Sequence, residues 1–124
     1  MPVKAFLLSS AFILLFLTTQ AQSSVQNLPT GKYETVIKND QSKWERGDII
    51  LLDATKYKIS SNDEIGDYKF SSAAQRIFFT SGPLKHFYAK TSTNNNTPVI
   101  VLPVTENEQA GQKLPAEVWC YYKQ

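Results

Sequence analysis

A small antiparallel β-barrel of about eight short strands is the fold this sequence predicts, and three observations carry the prediction. From Gly31 onward the chain is a succession of short apolar or alternating runs broken by turn residues, the pattern of an all-β domain. No stretch sustains the i, i+3, i+4 spacing of an amphipathic helix. The runs also follow one another too closely for the crossover of about a dozen residues that joins parallel strands. Closure removes exposed strand edges, so a barrel is preferred and a small β-sandwich is the alternative.

The chain begins with a stretch that reads as a secretory signal peptide over residues 1–21. Lys4 supplies a basic start, residues 5–17 are an almost unbroken apolar run, and Thr19-Gln20-Ala21 places small residues at the cleavage position. Cleavage before Gln22 removes 21 of 124 residues and leaves 103, enough for one modest core. The apolar run is shorter than the roughly 20 residues that cross a bilayer. The single cysteine, Cys120, lies too far along to be acylated at the leader junction. The expectation is therefore a secreted or periplasmic product with no stable membrane anchor after cleavage.

Residues 22–30 are mostly polar and close on Leu28-Pro29-Thr30, which predicts a flexible N-terminal arm; residues 31–124 form the single β domain. Strands are predicted over 32–38, 48–52, 56–60, 67–71, 76–81, 87–90, 99–104 and 117–123. Lys56-Tyr57-Lys58-Ile59 and Asp67-Tyr68-Lys69-Phe70 alternate, giving each a wet face and a buried face. Ile49-Ile50-Leu51-Leu52 and Val99-Ile100-Val101-Leu102 are continuously apolar, as in strands covered on both sides. Between them, Arg46-Gly47-Asp48, residues 61–66 and Ser81-Gly82-Pro83 carry turn chemistry. Residues 91–98 and 106–112 read as mobile polar loops, the first containing a glycosylation sequon at Asn95-Asn96-Thr97. Pro103 suggests a strand end or an edge.

Composition narrows the function classes. Without Lys4 the chain holds 12 basic and 11 acidic residues, and its lysines are dispersed along the sequence, which argues against nucleic acid. One cysteine excludes an intramolecular disulfide, so stability must come from apolar packing, and Cys120 in Val118-Trp119-Cys120-Tyr121-Tyr122 reads as a buried thiol. A single histidine, His86, and no Gly-x-Ser-x-Gly elbow leave no nucleophile with its base. Neither a zinc spacing nor a redox motif occurs; Asp63, Glu64 and Asp67 do not match a calcium loop and read as a solvated turn. Asp48 and Asp53 bracket an apolar strand, and sequence alone does not place them across a substrate. No catalytic residue, metal ligand or cofactor is expected.

The stretch from Tyr57 to Gly82 is the most distinctive part of the chain: Tyr57, Gly66-Asp67-Tyr68, Arg76-Ile77-Phe78-Phe79 and Ser81-Gly82-Pro83-Leu84. It resembles small exported proteins of unassigned function, and Gly31-Lys32-Tyr33 resembles the glycine-x-aromatic start of the first strand in lipocalin-like barrels. The resemblance covers well under half of the mature chain. It implies a barrel, and a function among carriers of small apolar ligands and inhibitors of exported proteases.

The aromatics carry the rest. Tyr57, Tyr68 and Phe70 share a predicted face with Ile59, and Trp119 and Tyr121 alternate with Val118, Cys120 and Tyr122. One set must fill the core, and the other lines a cavity mouth or an exposed patch. Tyr57, Tyr68, Phe70, Trp119 and Tyr121 are thus the candidate ligand-binding residues. The expectation is a non-catalytic exported barrel that binds a small apolar or amphipathic ligand. The alternative is a module that binds or inhibits an exported protein partner, through residues 91–98 or the arm.

Overall fold

Eight antiparallel strands close into a barrel in the order of the sequence, each hydrogen-bonded to the next and the last to the first. The computed structural model describes residues 24–124; the leader expected at 1–21 lies outside them. The strands are β1 (Gly31–Ile37), β2 (Ile49–Leu51), β3 (Lys56–Ile59), β4 (Gly66–Ser71), β5 (Arg76–Phe79), β6 (Tyr88–Asn94), β7 (Thr97–Leu102) and β8 (Val118–Lys123). A helix, α1 (Val104–Gln109), lies between β7 and β8. Every predicted strand has its counterpart. Closure runs along β1 and β8, from Lys32 opposite Lys123 to Ile37 opposite Val118. No helix among the described residues is long and apolar enough to cross a membrane.

Register fixes which side chains enter the barrel, because directly opposed residues share a face. Tyr33 opposes Ile49 and Tyr122, Leu51 opposes Tyr57, Tyr68 opposes Phe79, Ile77 opposes Ala89, and Ile100 opposes Cys120. These are the inward residues. Tyr33, Ile49, Tyr57, Ile77, Ala89, Ile100, Leu102, Val118 and Cys120 have 0% of their surface exposed. A void large enough for a ligand would leave accessible surface on the side chains lining it, so the centre of the barrel is solid. Aromatic pairs fill it: Tyr57 to Phe79 at 4.8 Å, Tyr33 to Tyr122 at 5.1 Å and Tyr57 to Tyr68 at 6.4 Å between ring centroids.

Both ends are stoppered. At the end where β1 begins, the residue 24–30 segment lies across the mouth. Leu28 packs against the core, the Tyr33 hydroxyl donates to the Pro29 carbonyl at 2.7 Å, and the Tyr122 hydroxyl donates to that of Thr30 at 3.1 Å. The arm expected to be flexible is pinned at Val25, which is buried and whose N–H and C=O both bond the Gln75 side-chain amide at 2.8 Å. At the other end, Trp44, Leu84, Phe87 and Leu114 enter from three different loops, with Trp44 edge-on to Phe87 at 5.6 Å.

Three sequence expectations need correction. Residues 91–98 are not a mobile loop: β6 and β7 run through them, from Thr91 opposite Ile100 to Asn94 opposite Thr97. The turn is only Asn95-Asn96, at φ 53° and 65°, the left-handed pair of a tight hairpin that asparagine tolerates. Within 106–112, the first positions belong to α1, too short to show a periodic pattern. Its buried Asn107 accepts from the Tyr88 N–H at 2.7 Å and donates to the Tyr88 carbonyl at 2.9 Å, fastening the helix beside β6. Finally, 99–102 is buried throughout, whereas Leu52 is 44% exposed, so only the former of the two apolar runs is covered on both sides.

Candidate binding surfaces

Tyr57 occupies the densest part of the interior. Its hydroxyl donates to the Ser81 carbonyl and accepts from the Leu84 N–H, both at 2.8 Å. The approach is possible because Gly66 and Gly82 face one another: a Cβ on Gly66 would lie 2.4 Å from the Ser81 carbonyl oxygen and 2.6 Å from the Tyr57 ring. Gly82 sits at φ +89°, where a side chain is strained in any case. Tyr57, Gly66 and Ser81-Gly82-Pro83-Leu84, the distinctive residues of the sequence, therefore meet as one packed node that closes a barrel end. Burial pushes the Tyr57 phenol up to about 12.

The other expected site residues divide between two places. Tyr68 is buried, its hydroxyl donating to the Asp53 carbonyl at 2.7 Å, and burial raises its phenol as well. Phe70 is half-buried, and with Tyr68, Leu28 and Ala54 it lines a depression of about 280 Å³ under the arm. Trp119 and Tyr121 point outward from β8, their rings 6.1 Å apart. Lys38 places its ammonium 4.1 Å from the Trp119 ring centroid, and the indole N–H donates to Glu117 at 2.9 Å. Val101 and Val99, opposite these two aromatics on the same face, are only 1% exposed. The five residues do not converge on one pocket.

Sequence reasoning missed a second outward aromatic surface, on β5 and β6. Arg76 lies between two rings, its guanidinium carbon 3.8 Å from the Tyr88 centroid and 4.3 Å from that of Phe78. Phe78 is 38% exposed and opposes Tyr88 across the strands. Together with Thr80, Lys85 and His86, these residues line a groove of about 300 Å³. The signal was present in the outward positions of Arg76-Ile77-Phe78 and Tyr88-Ala89-Lys90, but needed the register to bring the two strands together.

The carboxylates hold the fold. Asp48 is buried at one end of β2; it accepts from the Thr35 N–H at 3.0 Å and pairs with Lys43 at 3.5 Å and Lys32 at 3.7 Å. Asp53 lies past the opposite end and caps its turn by accepting from the N–H groups of Thr55 and Lys56, both at 2.8 Å, which lowers its carboxyl below the usual range. Four residues, three of them the strand Ile49–Leu51, lie between them, and five residue steps of extended chain span roughly 16 Å, beyond the roughly 6.5–9.5 Å across which two carboxyls hydrolyse a glycoside with inversion. Asp67 pairs with Lys56 and accepts from the Ser81 hydroxyl, so it turns away from Asp63, which pairs with Lys58. Cys120 is fully enclosed, and burial raises its thiol well above the ordinary value. Chemically, this surface offers stacking, cation and hydrogen-bond recognition. No protein-family model, curated protein sequence or solved structure matches the chain.

Proposed function

We propose that the protein is an exported, non-catalytic binding module that engages a protein partner on the outer wall of its barrel. One observation carries the reading: the interior is solid, while Trp119, Tyr121, Phe78 and Tyr88 are turned outward. Tryptophan, tyrosine and arginine are enriched among the few residues that carry most of the binding energy at protein interfaces, because each combines a large apolar body with a directed polar group. Export rests on the leader-like residues 1–21.

The depression under the arm supports a second reading. Leu28, Tyr68 and Phe70 give it an apolar floor, and a small amphipathic ligand fits there if the arm lifts. Native mass spectrometry of the protein taken from the exported fraction of its own host, with and without prior lysine crosslinking, separates the two. The expected result is a chain starting at Gln22 that carries a protein-sized additional mass after crosslinking. A small organic mass released on denaturation overturns the proposal in favour of the second reading, and a bare chain in both samples overturns both.

A further inference from the structure

We propose that the outer wall formed by β4, β5 and β6 docks an acidic segment of a partner protein, with Arg76 receiving a carboxylate. The inference rests on the binding-module reading and names its surface and the chemistry of its partner. The two rings that sandwich Arg76 hold the guanidinium plane, so the fork is pre-organised and little side-chain freedom remains to be lost on binding. Among the described residues its donors meet no acceptor. Arg76 is in none of the ion pairs of the described residues, and its Nε is buried without an acceptor. The two rings offset part of the cost of desolvating this donor, but among the described residues no acceptor completes it.

Cations outnumber carboxylates on this wall, and its β4 carboxylate, Asp67, is taken up by Lys56 and the Ser81 hydroxyl. Lys90 opposes Arg76, Lys69 opposes Phe78, and Lys85 stands on the lip of the groove. Among the described residues none of the three is ion-paired, whereas Lys32, Lys43, Lys56, Lys58 and Lys123 each have a carboxylate. No acidic residue is among the described residues that line the groove. One wall thus gathers four cations without a carboxylate partner, on a chain whose formal charge is only +2.

The aromatics decide between an acidic protein segment and a nucleic acid. Binding of single-stranded nucleic acid stacks successive bases on open ring faces. Here Phe78 and Tyr88 each give a face to Arg76. A guanidinium held in that way presents an edge that matches a carboxylate through two parallel hydrogen bonds. The exposed part of Phe78 and the groove beside it suit an apolar residue next to that carboxylate.

The test uses nitrogen-15-labelled protein and acetylated oligo-glutamate. Its glutamine counterpart and an oligodeoxythymidylate of equal length serve as the comparison probes. Oligo-glutamate is expected to shift the Arg76 Nε–Hε resonance together with the Phe78 and Tyr88 amides, and oligo-glutamine to leave them in place. Arg76→Gln is expected to weaken binding at least about tenfold, the loss of one charge-assisted pair, and Lys85→Gln by less. Both positions face outward, and a thermal melt matching the unsubstituted chain shows that each variant is folded. The proposal is overturned if oligo-glutamate perturbs another wall, if Arg76→Gln binds it as well as the unsubstituted chain, or if the oligodeoxythymidylate binds more tightly. If Arg76→Gln still carries the crosslinked partner mass, the binding-module reading stands and this site for it does not.

Discussion

At the scale of single residues, the Tyr57 hydroxyl is a stability determinant whose removal has a calculable sense. Tyr57→Phe leaves the N–H of fully buried Leu84 without its acceptor and the Ser81 carbonyl without its donor. An unsatisfied buried group costs about 1–3 kcal/mol, and denaturant unfolding should show a loss of that size with an unchanged denaturant slope. The same residue sets a pH window. Burial pushes its phenol from the ordinary 10.0 up to about 12 in the folded chain, so the unfolded chain loses this proton at lower pH. The stabilisation is complete below pH 10 and is lost as pH rises through about 12; burial shifts Tyr33 in the same direction. Phenolate absorbance should therefore rise together with the loss of native circular dichroism, and Tyr57→Phe should remove one phenol from that step. Tyr57 was legible in the sequence as a buried aromatic on an alternating strand. Its two hydrogen bonds were not, because they need Gly66 and Gly82 brought face to face by chain segments 16 residues apart.

Among the elements, alternation and apolar runs located all eight strands, and errors gathered where polar residues adopt regular structure. Period-two patterning reports burial, so a hairpin whose outward positions are polar and whose inward positions include Thr91 and Thr93 looks like a loop. Side-chain amides are the other blind spot. Gln75 and Asn107 each bond both the N–H and the C=O of a single distant residue, as a neighbouring strand would, and so pin the arm and α1. Nothing in a local pattern announces such a pair. The Asn95-Asn96 turn is testable on its own: at φ 65°, Asn96→Ala keeps a Cβ in left-handed backbone but removes the short polar side chain that makes that region tolerable. The penalty is below the roughly 1–2 kcal/mol that left-handed backbone costs an ordinary residue, because Asn96 already bears part of it, and reads as a lower thermal midpoint; Asn96→Gly should be neutral or slightly stabilising because glycine enters that region without strain.

For the molecule as a whole, closure and filling separate two functions that share one architecture. A barrel of about eight strands either fills with side chains or holds one small ligand, and strand count alone leaves both open. The decision lies in side-chain volume. Tyr33, Tyr57, Tyr68, Phe79 and Tyr122 are bulky inward residues, and Trp44 and Phe87 close an end. Their aromatic character was visible in the sequence, but an aromatic-lined pocket and an aromatic-filled core have the same composition. Phe79→Ala tests the distinction, because it removes a ring that packs on Tyr57 at 4.8 Å in the centre of the barrel. Such a truncation costs about 3–5 kcal/mol and leaves a cavity that remains dry and admits a small apolar molecule. Benzene or xenon should therefore shift the inward methyl resonances of Phe79→Ala, those of Ile77 and Ile100 among them, and leave the unsubstituted protein unchanged. If the unsubstituted chain binds either probe at those methyls, the interior has room for cargo and the outer-wall proposal gives way to binding in the lumen.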